Sequence, residues 1–110
     1  MIEDRIQKIE QRVSAAEGIP TEAKSELLQL LAALKTEIAA LPETRREEVH
    51  SIAGFADASA HEATRAEPKP ELLETAVKGL TSSVEGFEAT HPALTQTVNR
   101  IAFILSNMGM

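Results

Sequence analysis

The amino-acid sequence predicts an all-α protein: antiparallel α-hairpins whose coiled-coil-like seams form a helical bundle. Three observations carry this expectation. Large apolar residues recur at spacings of four, three, four and three in four separate segments of the 110-residue chain, the period of a helix packed lengthwise on other helices. The composition is 43% hydrophobic but only 3% aromatic, with no Trp or Tyr, so Ala, Leu, Ile and Val, mixed with Glu and Lys, supply a helical vocabulary. The five Gly and five Pro punctuate the chain rather than saturate it.

The first segment places Ile2, Ile6, Ile9, Val13 and Ala16 on one stripe, with Asp4 and Lys8 paired on another face. Gly18 supplies a stop, and Ile19-Pro20 does not readily continue a helix. Thr21 is the expected N-cap of the second helix. That helix carries Leu27, Leu31, Leu34, Ile38 and Leu41, and Leu28 and Leu30 widen its stripe toward a second neighbour. Leu41-Pro42 marks a break.

The third segment, residues 43–66, reads as weaker. Val49, Ile52, Ala56 and Ala63 keep the period, but small residues replace large ones and Gly54 interrupts at a cost of about 1 kcal/mol relative to Ala. A shallow contact surface is expected there. Pro68 and Pro70 then enforce an extended linker. The fourth helix starts at Pro70, which suits a first turn, carries Leu73, Val77, Leu80, Val84 and Phe87, and is expected to end near Thr90. The fifth presents Leu94, Val98, Ile101, Leu105 and Met108, broadened by Ala102, Phe103 and Ile104, with Arg100 its one charged residue and Gly109 its stop. Short connections make hairpins of helices one and two and of helices four and five. The expected organisation is one domain over residues 1–110: a first hairpin at 1–41, an Ala-rich helical segment with a Pro linker at 42–69, and a second hairpin at 70–110.

Charge and composition disfavour several function classes. The net charge is −6 and is spread evenly, with no basic patch. Nucleic acids and anionic membrane surfaces attract clustered Lys and Arg, so neither is an expected partner. The absence of Cys removes disulfides, thiolate metal sites and a Cys nucleophile. The first residues are charged and lack the apolar core of a signal peptide, and the apolar run 101–105 is too short to span a bilayer. A cytoplasmic location is expected.

The three histidines raise the question of metal. Glu47 with His50, and Glu88 with His91, each form Glu-x-x-His, the spacing that builds di-iron sites in ferritin-like bundles. The first pair sits among Arg45, Arg46 and Glu48, and reads as solvated. The second includes a residue preceding Pro92, which is disfavoured in helical geometry. None of the four main seams holds an inward carboxylate. Asp57 and His61 are four apart and could share a metal with another chain, but a solvated surface pair is the simpler reading. Ser82 and Ser83 lack a nucleophile-elbow context, and no Gly-rich phosphate loop is present. No catalytic residue, cofactor or metal is expected. His91 is expected at the N-cap before Pro92, with Phe87 anchoring the corner.

One stretch carries a resemblance. Phe87, Glu88, Ala89, Thr90, His91, Pro92, Ala93 and Leu94, followed by Leu105, Ser106, Asn107, Met108 and Gly109, resemble the C-terminal signature F-E-x-x-H-P-x-L … L-S-N-M-G of a small bacterial family of unknown function, of the DUF4404 type. The likeness is specific over residues 87–110. It departs at Met110, where the family more often has Ile, and residues 43–69 are longer than the usual joint. It implies a bacterial source and brings no catalytic residue, cofactor or partner.

The expected function is therefore a non-enzymatic helical interaction or structural protein that self-associates as a homodimer or a higher even-numbered oligomer. Helices two and five carry stripes wider than one hairpin consumes, and exposed apolar area costs about 25 cal/mol per Å². Phe103 or Ile104 is expected to lack an intrachain neighbour. Two alternatives remain at this level: a metal- or ligand-binding bundle, and an adaptor that holds another protein's helix in an apolar groove.

Overall fold

The structure, a computed structural model, describes residues 2–108. Five helices follow in order: α1 (Ile2–Ala15), α2 (Thr21–Ala39), α3 (Arg46–Thr64), α4 (Pro70–Ser83) and α5 (Pro92–Met108), with short 3₁₀ turns at Glu43–Arg45 and Glu85–Phe87. Among the described residues there is no strand. The expected all-α bundle is what forms.

The stripes read from the sequence become the core. Ile6, Ile9 and Val13 of α1, Leu27, Leu31, Leu34 and Ile38 of α2, and Leu94, Val98, Ile101 and Leu105 of α5 are all buried. On α4, Leu73 and Leu80 are buried, and Val84 and Phe87 continue the row beyond the helix. Val77 departs from its expected place. It is half-buried, and Ala76 takes the inward position. The helix is rotated so that an alanine, rather than the larger Val77, faces inward.

The larger correction concerns residues 43–66. Far from offering a shallow surface, α3 is the hub of the bundle, packing on α1, α4 and α5, while α2 is covered by α1 and α5. Val49, Ile52, Ala53, Ala56, Ser59, Ala60 and Ala63 of α3 are all buried. Small residues were expected to mean weak contact. Instead they let three neighbouring backbones come close. The two hairpins, α1 with α2 and α4 with α5, do form, and they pack on each other within one chain through α2 and α5 and through α3.

The connections follow local chemistry. Gly18 adopts φ +84°, a conformation that side chains with a Cβ resist, and this turns the chain out of α1. Thr21 is the first helical residue rather than the cap, and Pro20 stands before it in extended geometry. The Lys24 ammonium reaches back to the carbonyls of Ser14 (3.2 Å) and Ala16 (2.9 Å), placing a cation at the C-terminal end of α1. The expected end of α4 near Thr90 is also corrected. The α-helix stops at Ser83 and a 3₁₀ turn tightens the chain through Phe87. The expected stop at Gly109 lies outside the described residues.

One interlock between α3 and α4 depends on a missing side chain. A Cβ at Gly79 would lie 2.2 Å from the Phe55 ring, so only glycine lets that ring lie against α4. Replacing Gly79 by Ala is expected to expel the ring and to cost about 1–2 kcal/mol, despite the better helix propensity of Ala. In a Phe55→Ala background the same change should stabilise by roughly 0.5–1 kcal/mol. Urea unfolding of the four proteins in the cycle measures this. An identical effect of Gly79→Ala in both backgrounds would contradict the interlock.

Candidate functional site

The helix directions gather chemistry at the two ends of the bundle. One end unites the start of α1, the end of α2, the start of α3, the turn after α4 and the start of α5. There, Ile2, Ile38, Leu41 and Val49 floor an open cleft of about 380 Å³, with Glu3, Glu43, Arg46 and His50 at its rim. Arg46 is already engaged with Glu43 by a hydrogen-bonded ion pair one turn away.

Beside this cleft the signature residues build a corner. Phe87 is 1% exposed. The Arg45 guanidinium lies over its ring at 4.4 Å from the centroid, and the His91 ring meets it edge-on at 5.6 Å. The His91 backbone N–H donates to the Phe87 carbonyl at 2.7 Å, while its own carbonyl accepts from Thr95 N–H at 3.2 Å. His91 thus occupies the N-cap position of α5, as expected. Its Nδ1 shares a hydrogen bond with the Thr90 hydroxyl at 3.0 Å. Arg45 is the member that the sequence did not reveal, because nothing in linear spacing links the start of α3 to the end of α4.

The candidate metal ligands are dispersed. Glu47 and His50 are exposed on the first turns of α3. Glu88 lies in the turn after the 3₁₀ segment, so Glu88 and His91 do not share a helix face. Asp57 and His61 do share one, but Arg12 of α1 is set against both. Its guanidinium donates to His61 Nδ1 at 3.1 Å and lies 3.8 Å from Asp57. A cation of the chain itself is thus set against both groups. Among the described residues no group of three or more His, Cys, Asp or Glu is gathered for a metal ion. Also among the described residues, no helix is long and apolar enough to cross a membrane.

A third feature is a surface rather than a pocket. The large apolar side chains left exposed among the described residues are Phe55 (41%), Leu72 (44%) and Phe103 (56%). Of the two residues of which one was expected to lack an intrachain neighbour, Ile104 is buried in the intrachain core and Phe103 is the one left exposed. Phe103 points away from that core. The Arg100 guanidinium lies over its ring at 5.3 Å, and Arg100 Nε donates to Glu26 Oε2 of α2 at 2.8 Å. That hydrogen bond holds the Glu26 carboxyl below its ordinary value and raises that of Arg100. Nearer the start of α5, the Thr97 hydroxyl donates to Glu37 at 3.1 Å.

Fold and surface together define a small all-α helical bundle. The chain belongs to the family described as domain of unknown function (DUF4404), whose model matches residues 23–110. The match takes in the signature corner and the terminal helix, in agreement with the resemblance seen in the sequence, and leaves α1 outside. Comparison with curated proteins gives no match, and comparison with solved structures gives none.

The corner yields a test of what His91 does. If its part is to set the turn, His91→Asn keeps stability within about 0.5 kcal/mol, since Asn is a good N-cap residue. Arg45→Ala removes the cation over Phe87 and is expected to cost about 0.5–2 kcal/mol. Thermal or urea unfolding reads both. A large loss for His91→Asn with none for Arg45→Ala would reverse these assignments.

Proposed function

We propose that this chain is a non-enzymatic helical interaction module that pairs with a second copy of itself across the outward face of α5. The observation that carries the reading is Phe103, 56% exposed on a helix whose other large apolar side chains are buried or half-buried.

Charge supports the choice of face. The chain carries −6, so two copies repel through most of their surface. Residues 92–110 contain no Asp or Glu. The exposed neighbours of Phe103 along α5 are Gln96, Asn99, Arg100 and Asn107. A face depleted in carboxylates, with an aromatic and an arginine at its centre, has the composition of an interface core. By contrast, Phe55 lies against Gly79, and Leu72, two turns before Gly79 on α4, stands between Glu71 and Glu74. The non-enzymatic part of the reading rests on the titratable groups. His61 and Asp57 are engaged with Arg12, and His91 with the α5 corner.

Closed two-fold pairing is the commonest way to cover such a face. Light scattering at high micromolar concentration should give twice the 11.9 kDa chain mass, or a higher even multiple. Phe103→Glu should return the protein to the monomer mass or make it insoluble, because the added charge meets its own symmetry copy while losing water. A wild-type protein that stays at the monomer mass overturns the proposal.

A further inference from the structure

A two-fold interface makes a strict demand: the face must be complementary to itself, so that each contact from one copy is returned by the other. The outward face of α5 and the adjoining edge of α2 meet it. Phe103 is an apolar anchor, Arg100 lies over its ring, and Glu26, half-exposed on α2, is paired with Arg100 at 2.8 Å. The face therefore holds a positive and a negative group beside an aromatic ring. Rotating a copy of it by half a turn can lay positive on negative twice.

We propose that Arg100 and Glu26 exchange partners on association, Arg100 of each copy pairing with Glu26 of the partner subunit around two Phe103 rings near the axis. This rests on the self-association reading above and deepens it by naming the groups that set register and partner choice. Three observations support it. Both side chains of the intrachain pair are about half exposed, at 50% and 43%, so both are free to be approached by another molecule. The carboxylate is drawn to the outward side of α5 by Arg100, since residues 92–110 supply no Asp or Glu themselves. The guanidinium is held over the aromatic ring, where its flat, weakly hydrated group suits an interface better than an ammonium would. Paired charges across an interface act chiefly on specificity, by penalising the wrong juxtaposition.

Charge reversal with mixing separates contacts within a chain from contacts between chains. Arg100→Glu places two acids in each chain, and Glu26→Arg places two bases. Either homodimer then sets like charges against each other, and should weaken roughly tenfold or more. Mixing the two variants creates opposite charges only between chains, while each chain still carries its own like-charged pair. A mixed dimer tighter than both homodimers, scored by native mass spectrometry with one variant isotope-labelled, is the expected result. A control pair of equal net charge, Lys78→Glu mixed with Glu74→Lys on the exposed surface of α4, should show no such preference. Circular dichroism confirms that each variant is folded.

If the wild-type protein dimerises and Phe103→Glu dissociates it, but the mixed dimer is no tighter than the homodimers, the partner exchange is wrong and the self-association reading stands. The exchange is equally refuted if the control pair favours mixing as strongly. If the wild-type protein is monomeric, both fall together.

Discussion

Everything in this bundle depends on how close α3 allows its neighbours to come. Helix axes in proteins pack 8–10 Å apart according to the side chains between them. On α3 those side chains are Val49 and Ile52 near its start and then the small Ala53, Ala56, Ser59, Ala60 and Ala63, all buried. Rows of Leu, Ile and Val on α1, α4 and α5 can then press against nearly bare backbone, filling the space that larger residues on α3 would have taken. Interiors are packed at crystal-like density, so the small residues of the hub and the large residues of the surrounding helices are two halves of one constraint. The cost is visible at Ser59, fully buried with its hydroxyl unpaired among the described residues, an arrangement that spends stability for compactness.

Once α3 is central, the helix ends have to be secured at its two ends. Lys24 serves the carbonyls that close α1. At the other end Arg45, immediately before α3, lies over Phe87 and ties the turn after α4 to the hub. The stretch from Phe87 to Pro92 thereby gains a physical meaning. Phe87 fills the corner, His91 starts α5, and Pro92 presets its first turn. The corner's residues are engaged with one another.

Much of this was legible in the sequence, and the failures share one cause. A stripe of Ile or Leu names its own buried face, so α1, α2 and α5 could be read with their core residues. The rotation of α4 that buries Ala76 in place of Val77 could not, because propensity and period treat an inward alanine as a weak position. The hub was misjudged for the same reason: low apolar bulk resembles an exposed surface until the neighbours' bulk is placed against it. Contacts such as Phe55 on Gly79 or Arg45 on Phe87 are pairings across helices, which no single-chain period contains. Ile104 shows the converse. It lies off the Leu94–Met108 stripe, yet α5 is embraced by α2, α3 and α4 on enough sides to bury it. Among the described large apolar side chains of α5 only Phe103 is left exposed, and the reading of the molecule as one that meets a copy of itself turns on that residue.

The account of α3 can be tested with two substitutions of the same kind on one helix. Leucine and alanine differ little in helix propensity, so any difference between Ala60→Leu and Ala58→Leu reports packing alone. Ala60 is fully buried against the neighbouring helices and Ala58 is exposed. Measured by urea unfolding, Ala60→Leu should lose about 1–3 kcal/mol or fail to fold cooperatively, while Ala58→Leu stays within about 0.5 kcal/mol of the parent. Equal, small effects at both positions would mean that α3 has room to spare, and would contradict its place as the hub.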